Sequence, residues 1–175
     1  MIERALKRVN LVWYGPYSVA DLSEKLKQRV SSLDRKYLPL EEYGFYMYLN
    51  QSLAQAVYIG QASGKGRSLR NRLRWEITKD FSRLSRDLRE AEIHKLNLTL
   101  KVSHIARAAD SKYPAEFIDV SLLNDIENAL ICQMKPCINR KGKRRYRGET
   151  IEIINTGSFA PLPERFRQAK GHSCQ

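Results

Sequence analysis

The sequence predicts an α+β domain with a small, mainly antiparallel three-stranded sheet flanked by helices, plus N- and C-terminal arms. Residues 44–49 and 57–60 are apolar runs with a period of two, close enough to pair as a hairpin. Leu96, Leu98, Leu100 and Val102 alternate with Asn97, Thr99, Lys101 and Ser103 as a third strand. Apolar residues at helical spacing then mark a basic stretch from Ser68 and a second segment from Val120 to Met134.

Taken in order, residues 1–42 form an arm or helical cap. They open with the apolar run Val9 to Tyr14, a Gly15-Pro16 turn and a helix over about 18–30. In the hairpin, Phe45, Met47 and Leu49 share one face with Val57 and Ile59, which leaves Tyr46 and Tyr58 on the other. A five-residue loop, Asn50 to Ala54, sets Tyr46 directly across from Tyr58, two phenols side by side and off the core. After a turn at Ser63 to Gly66, Leu69, Leu73, Ile77 and Phe81 mark the apolar face of the basic helix, which a second helical stretch continues to about Leu96. Ala106 to Asp119 is polar and contains Pro114, so a loop with a short helix is expected before the helix of 120–134. A central part is drawn at 43–140, and a basic extension with a strand at Thr150 to Ile154 follows at 141–175.

With 31 Lys and Arg against 19 Asp and Glu, the net charge of +12 favours a polyanionic partner, nucleic acid first. No segment approaches the roughly 18 apolar residues of a spanning helix, and the N-terminus has no secretory apolar core, so a cytoplasmic protein without a membrane partner is expected. The three cysteines, Cys132, Cys137 and Cys174, show neither framework nor zinc spacing. Structural disulfides are therefore not expected.

Glu127 is the residue that composition does not explain. On a helical wheel it falls near the centre of the stripe made by Leu123, Ile126, Leu130, Ile131 and Met134. A carboxylate there needs a cation, a metal ion or a cleft open to water, so either an arginine pair at the core edge or a functional site accounts for it.

Gly44-Phe45-Tyr46, Tyr58-Ile59-Gly60, an arginine on the next helix, Glu127 with Leu130-Ile131, Lys135-Pro136 and Asn139 together resemble the GIY-YIG nuclease family over residues 43–140. The resemblance implies metal-dependent cleavage of DNA. Tyr46 and Tyr58 match the family's tyrosines, Arg72 its arginine, Glu127 its metal-binding carboxylate and Asn139 its late asparagine. Glu76 stands where many members have histidine, a departure that puts in doubt any proton transfer through that position. Lys65 is the substitute expected from restriction enzymes that also depart there.

Phosphodiester hydrolysis needs an activated water and stabilisation of charge on phosphorus and on the departing 3′ oxygen. The resemblance implies that Glu127 holds Mg²⁺, or another divalent cation such as Mn²⁺, while Arg72 binds a phosphate oxygen. Tyr58, or second Tyr46, would act as base or orient the water, provided nearby positive charge lowers its pKa. Asn139 would fix local geometry. Contacts to double-stranded DNA are expected from Arg67, Arg70 and Arg74, and from Lys141, Lys143, Arg144, Arg145 and Arg147. A compact chain of this kind most resembles the type II restriction endonucleases of the family, which act as homodimers. A repair, recombination or phage-type nuclease and a non-catalytic nucleic-acid-binding module are the alternatives.

Overall fold

The computed structural model describes residues 6–19, 44–50, 55–63, 68–78, 98–105, 119–139 and 145–174. The helix expected over 18–30, apart from its first two residues, lies outside them, as do the helical continuation beyond 78 and the loop of 106–118. The described strands are β1 (Lys7–Ser18), β2 (Gly44–Asn50), β3 (Gln55–Ala62), β4 (Leu98–Ile105), β5 (Ile151–Gly157) and β6 (Arg165–Gln168). Helix α1 (Leu69–Thr78) follows β3, and α2 (Val120–Met134) follows β4.

The expected three-stranded sheet flanked by helices, with arms at its ends, is overturned. All six strands join one mixed, curled sheet, a half-barrel in the order β3-β2-β4-β1-β5-β6, with two helices among the described residues. The difference comes from segments read as arms. Residues 7–18 run straight through Gly15-Pro16 as a central strand, antiparallel to β4 and parallel to β5, and a bulge between Tyr14 and Tyr17 absorbs the irregularity. β6 then pairs antiparallel with β5.

Both faces of the sheet are covered. On one, Leu11, Trp13, Phe45, Met47, Ile59 and Ile153 pack with Leu123, Ile126 and Leu130 of α2. On the other, Tyr46, Tyr48, Val57, Leu100 and Val102 pack with Leu69 and Leu73 of α1. Polar residues of β4 are consequently buried too: Lys101 donates its ammonium hydrogens to the Ser158 and Ala160 carbonyls at 2.8 and 2.6 Å. Those bonds satisfy the buried charge and tie the β5–β6 connection to the sheet. No described helix is long and apolar enough to cross a membrane.

The hairpin register also differs from expectation. Tyr46 lies across from Gly60, and Tyr48, not Tyr46, lies across from Tyr58. Asn50 pairs with Gln55, and the register shifts between Tyr48 and Leu49, so Val57 is the extra residue of a bulge. The net offset of two residues keeps every tyrosine on its face, because side chains alternate with period two. Only Val57 changes sides, joining the tyrosine cluster.

Cys132 and Cys174 form a disulfide, Cα atoms 5.0 Å apart, contrary to the expectation of none. The tail reaches α2 because β6 pairs with β5 and Ser173 bridges to Arg145, a contact between segments distant in sequence that cysteine spacing does not encode. The bond closes a span of 42 residues, worth roughly 4 kcal/mol by loop entropy. Reduction is expected to lower the calorimetric Tm by about 10 °C; an unchanged melt under dithiothreitol contradicts the clasp.

Candidate active site

The site is assembled around β3, an edge strand whose outward backbone groups are taken up by the segment after α2. α2 begins at the cap Asp119, whose carboxylate accepts the Ser121 N–H at 2.9 Å. It ends at Lys135, left-handed at φ 45°, with Pro136 preventing continuation. The chain then runs beside β3. Ile138 N–H donates to the Val57 carbonyl at 3.1 Å. The Asn139 amide acts as a short strand: its Oδ1 accepts from Ile59 N–H and its Nδ2 donates to the Ile59 carbonyl, both at 2.8 Å. Further along the edge, the backbone of Gln61 favours the charged form of the Glu127 carboxylate.

Glu127 is half-buried beside this edge, between the apolar residues Ile126 and Leu130. Burial raises its pKa to about 7, against the opposing pull of Arg72 and the Gln61 backbone. It lies within electrostatic reach of both Arg72 and Tyr58. The carboxylate, the guanidinium and this phenol therefore share one neighbourhood.

Behind them is a buried polar cluster. The Glu76 carboxyl, 2% exposed, accepts the Tyr46 hydroxyl at 2.6 Å and the Tyr48 hydroxyl at 3.5 Å. Arg72, 40% exposed, uses its Nε inward, 2.7 Å from Glu76 Oε1 and 3.2 Å from the Tyr46 oxygen. Tyr58 is the third ring of the cluster, beside Tyr46 and Tyr48. The three rings stand 6.0–6.4 Å apart, with Tyr46 and Tyr48 edge to face.

Two expectations about the tyrosines change. Tyr46 is not off the core but fully buried in it, so only Tyr58, half-buried, stands toward the edge. Nor is either phenol lowered in pKa: burial, then Glu76, pushes Tyr46 well up and Tyr58 up, and Arg72 offsets only part. Tyr58 is a neutral phenol at neutral pH. Burial likewise raises Glu76, with Arg72 the main opposing influence.

The close approach of Tyr46 explains the glycine of Tyr58-Ile59-Gly60. A Cβ at Gly60 would fall 2.4 Å from Cζ and the hydroxyl of Tyr46. Gly60→Ala is expected to cost about 1–3 kcal/mol through overpacking and to pull the Tyr46 hydroxyl from Glu76. Urea denaturation checks the cost; a neutral substitution would show that the ring has room to move.

Lys65, Arg67, Lys141, Lys143 and Arg144 lie outside the described residues. On α1, Arg70 is half-buried and Arg74 exposed. Arg145 is exposed and its Nε donates to the Gly171 carbonyl at 3.0 Å. Arg147 is exposed, as are two arginines the sequence reading missed, Arg165 and Arg167 of β6. These three make no ion pair among the described residues, whereas Arg8 is paired with Glu152 at 2.6 Å. Alternation in Arg165-Phe166-Arg167-Gln168 was the available signal, as was the period-two placement of Tyr48, also missed, after Tyr46.

Among the described residues no three or more His, Cys, Asp or Glu side chains gather as a metal site. The donor set around Glu127 is instead a single half-buried carboxylate, raised in pKa by burial. That suits a hard cation such as Mg²⁺, which commonly takes one or two carboxylates and fills its other positions with water and phosphate oxygens. No family model, no curated protein and no solved structure matches the chain.

Proposed function

We propose that this chain is a metal-dependent DNA endonuclease of the GIY-YIG type, acting as a type II restriction endonuclease in a homodimer. The observation that carries the reading is that Glu127 stands within electrostatic reach of both Arg72 and Tyr58, three groups from three separate elements. The motif order that suggests the family supports it further, as does the net charge of +12.

In this reading Glu127 holds Mg²⁺ or Mn²⁺, which when bound stabilises negative charge on the phosphate and on the leaving oxygen. Arg72 offers its outer guanidinium edge to a non-bridging phosphate oxygen, its Nε being anchored by Glu76. Tyr58 orients the attacking water through its hydroxyl. Asn139 holds the strand edge on which Tyr58 and the Gln61 backbone depend.

Duplex DNA is bound through its phosphates, with Arg147, Arg165 and Arg167 added to the arginines of α1. Arg165→Ala/Arg167→Ala is expected to reduce the slope of log affinity against log salt by about 2, as fluorescence anisotropy reads it. An unchanged slope removes β6 from the DNA surface.

Plasmid digestion with Mg²⁺ tests the function. Discrete, reproducible fragments support restriction. Nicking or a smear favours a repair, recombination or phage-type nuclease, and intact plasmid at every divalent ion tried leaves a non-catalytic binding module.

A further inference from the structure

The disulfide between Cys132 and Cys174 has surroundings that a purely structural clasp does not need. Its two halves are unequal. Cys132, on α2, is 1% exposed, whereas Cys174, in the tail after β6, is half-buried. The buried side chain of Gln168 directs an Nε2 hydrogen at Cys132 Sγ across 2.9 Å. A disulfide sulfur is a weak acceptor, so a buried amide gains little from that bond. A thiolate sulfur in the same place would accept it as a charge-assisted bond.

A cavity of about 230 Å³ opens at the same position, lined by Cys132, Gln133, Arg167, Gln168, His172 and Ser173. A guanidinium, an imidazole, two amides and a hydroxyl border it, and no carboxylate does. Negative charge on Cys132 Sγ would meet an N–H at bonding distance and the Arg167 cation close by. Donors and cations of this kind are what stabilise a thiolate inside a protein.

The tail that the disulfide fastens supports the arginine run in turn. The Gly171 carbonyl accepts from Arg145 Nε at 3.0 Å, and the His172 carbonyl accepts the Tyr146 N–H at 3.0 Å. Gly171 N–H donates back to the Tyr146 carbonyl at 2.9 Å, and Ser173 bridges to Arg145. Residues 145–147 are thus tied to the tail, and the tail is tied to α2 through sulfur.

We propose that Cys174 is a site of reversible S-thiolation by a low-molecular-weight thiol of the glutathione class, with Cys132 as the leaving thiolate that Gln168 and Arg167 receive, and that this exchange unfastens the tail beside Arg145. The proposal is independent of the hydrolytic reading. The thiolate of the small thiol attacks Cys174 Sγ, and a new S–S bond forms there. The bond to Cys132 breaks, and its electron pair leaves on Cys132 Sγ. A second small thiolate attacks the small-thiol sulfur of this mixed disulfide, releasing Cys174 as a thiolate and the small thiol as its own disulfide. Over both steps two small thiols are oxidised, and the protein disulfide takes up their two electrons and two protons. In the opposite direction, Cys132 attacks Cys174 in the mixed disulfide and reseals the clasp. Attack is directed at Cys174 because the better stabilised thiolate leaves faster and because burial shields Cys132.

Folded protein incubated with reduced glutathione, quenched with iodoacetamide and mapped by mass spectrometry, tests the assignment. The expected early product carries glutathione on Cys174 and the alkyl group on Cys132, and opening speeds up in proportion to glutathione concentration. Gln168→Met keeps the bulk of the side chain and loses its N–H. It is expected to slow opening by about 10-fold and, in the reduced protein, to move the pH midpoint of Cys132 alkylation upward. In the opened protein the Tyr146 and Gly171 amides are expected to exchange with deuterium at least about 10-fold faster. Glutathione on Cys132, a Gln168→Met rate equal to that of the wild type, or unchanged protection of those amides overturns the proposal. An opening rate that levels off as glutathione rises also overturns it, because opening then waits for global unfolding. If Gln168→Met fails to fold or the mixed disulfide turns over too fast to map, the concentration dependence of wild-type opening decides between exchange in the folded state and a sealed clasp.

Discussion

Glu127→Gln is expected to reduce Mg²⁺-dependent DNA cleavage by at least about 10³-fold while leaving affinity for duplex DNA within about twofold of the wild type. The amide keeps the shape of the side chain but removes the charge that holds the cation, and no arginine that reaches phosphate is altered. The same variant has a signature that needs neither DNA nor metal. The unfolded chain releases the Glu127 proton near 4.5 and the folded chain near 7, so between those values the folded state binds more protons. Wild-type stability in EDTA should therefore fall as pH rises through this window, by roughly 3 kcal/mol from this residue. In Glu127→Gln that part of the slope should be gone. Urea denaturation at pH 4.5 and 7.5 measures it, and equal slopes in both proteins contradict a desolvated carboxyl at this position.

Arg72→Ala is expected to act on stability and chemistry together. Its Nε compensates the buried Glu76 carboxylate at 2.7 Å, and removing one partner of such a pair leaves the other uncompensated, at about 2–3 kcal/mol for a pair whose arginine is 40% exposed. Arg72 is also the main influence holding the Glu76 pKa down, so without it that pKa rises further. Below the new value Glu76 is neutral and the loss is relieved. The destabilisation should hence be larger at pH 8 than at pH 5, and Glu76→Gln added to Arg72→Ala should recover most of it. Cleavage should fall by about 10³-fold in both variants, because the phosphate loses its guanidinium. A destabilisation independent of pH would show that the ion pair contributes little.

How much of this was legible in the sequence depends on the range of the interaction that decides each feature. Period-two runs located β2, β3 and β4, and the apolar stripe located α2, because these patterns are local. β1 and β5 were seen as an apolar run and a strand, but their place beside β4 was not, since strand order is fixed by pairs over 90 residues apart in sequence, such as Leu11 with Ile105 and Val9 with Ile153. The hairpin register failed by two residues, one because the loop closes at Asn50 and Gln55 and one because a bulge leaves no mark in an alternating pattern. Glu127 was conspicuous as a charge in an apolar stripe. Glu76 was noticed only through the family pattern, since its burial depends on two tyrosines about 30 residues earlier. The clasp between Cys132 and Cys174 depends on β6, four residues with no strong pattern of their own.

The most direct measurement of the central claim is cleavage of a synthetic duplex in H₂¹⁸O with Mg²⁺, with the product ends weighed by mass spectrometry. Attack by water on phosphorus with departure of the 3′ oxygen predicts one ¹⁸O in each new 5′-phosphate, none in the 3′-hydroxyl, and no product in EDTA. Cleavage that persists in EDTA, ¹⁸O on the 3′ side, or an intact duplex would contradict it.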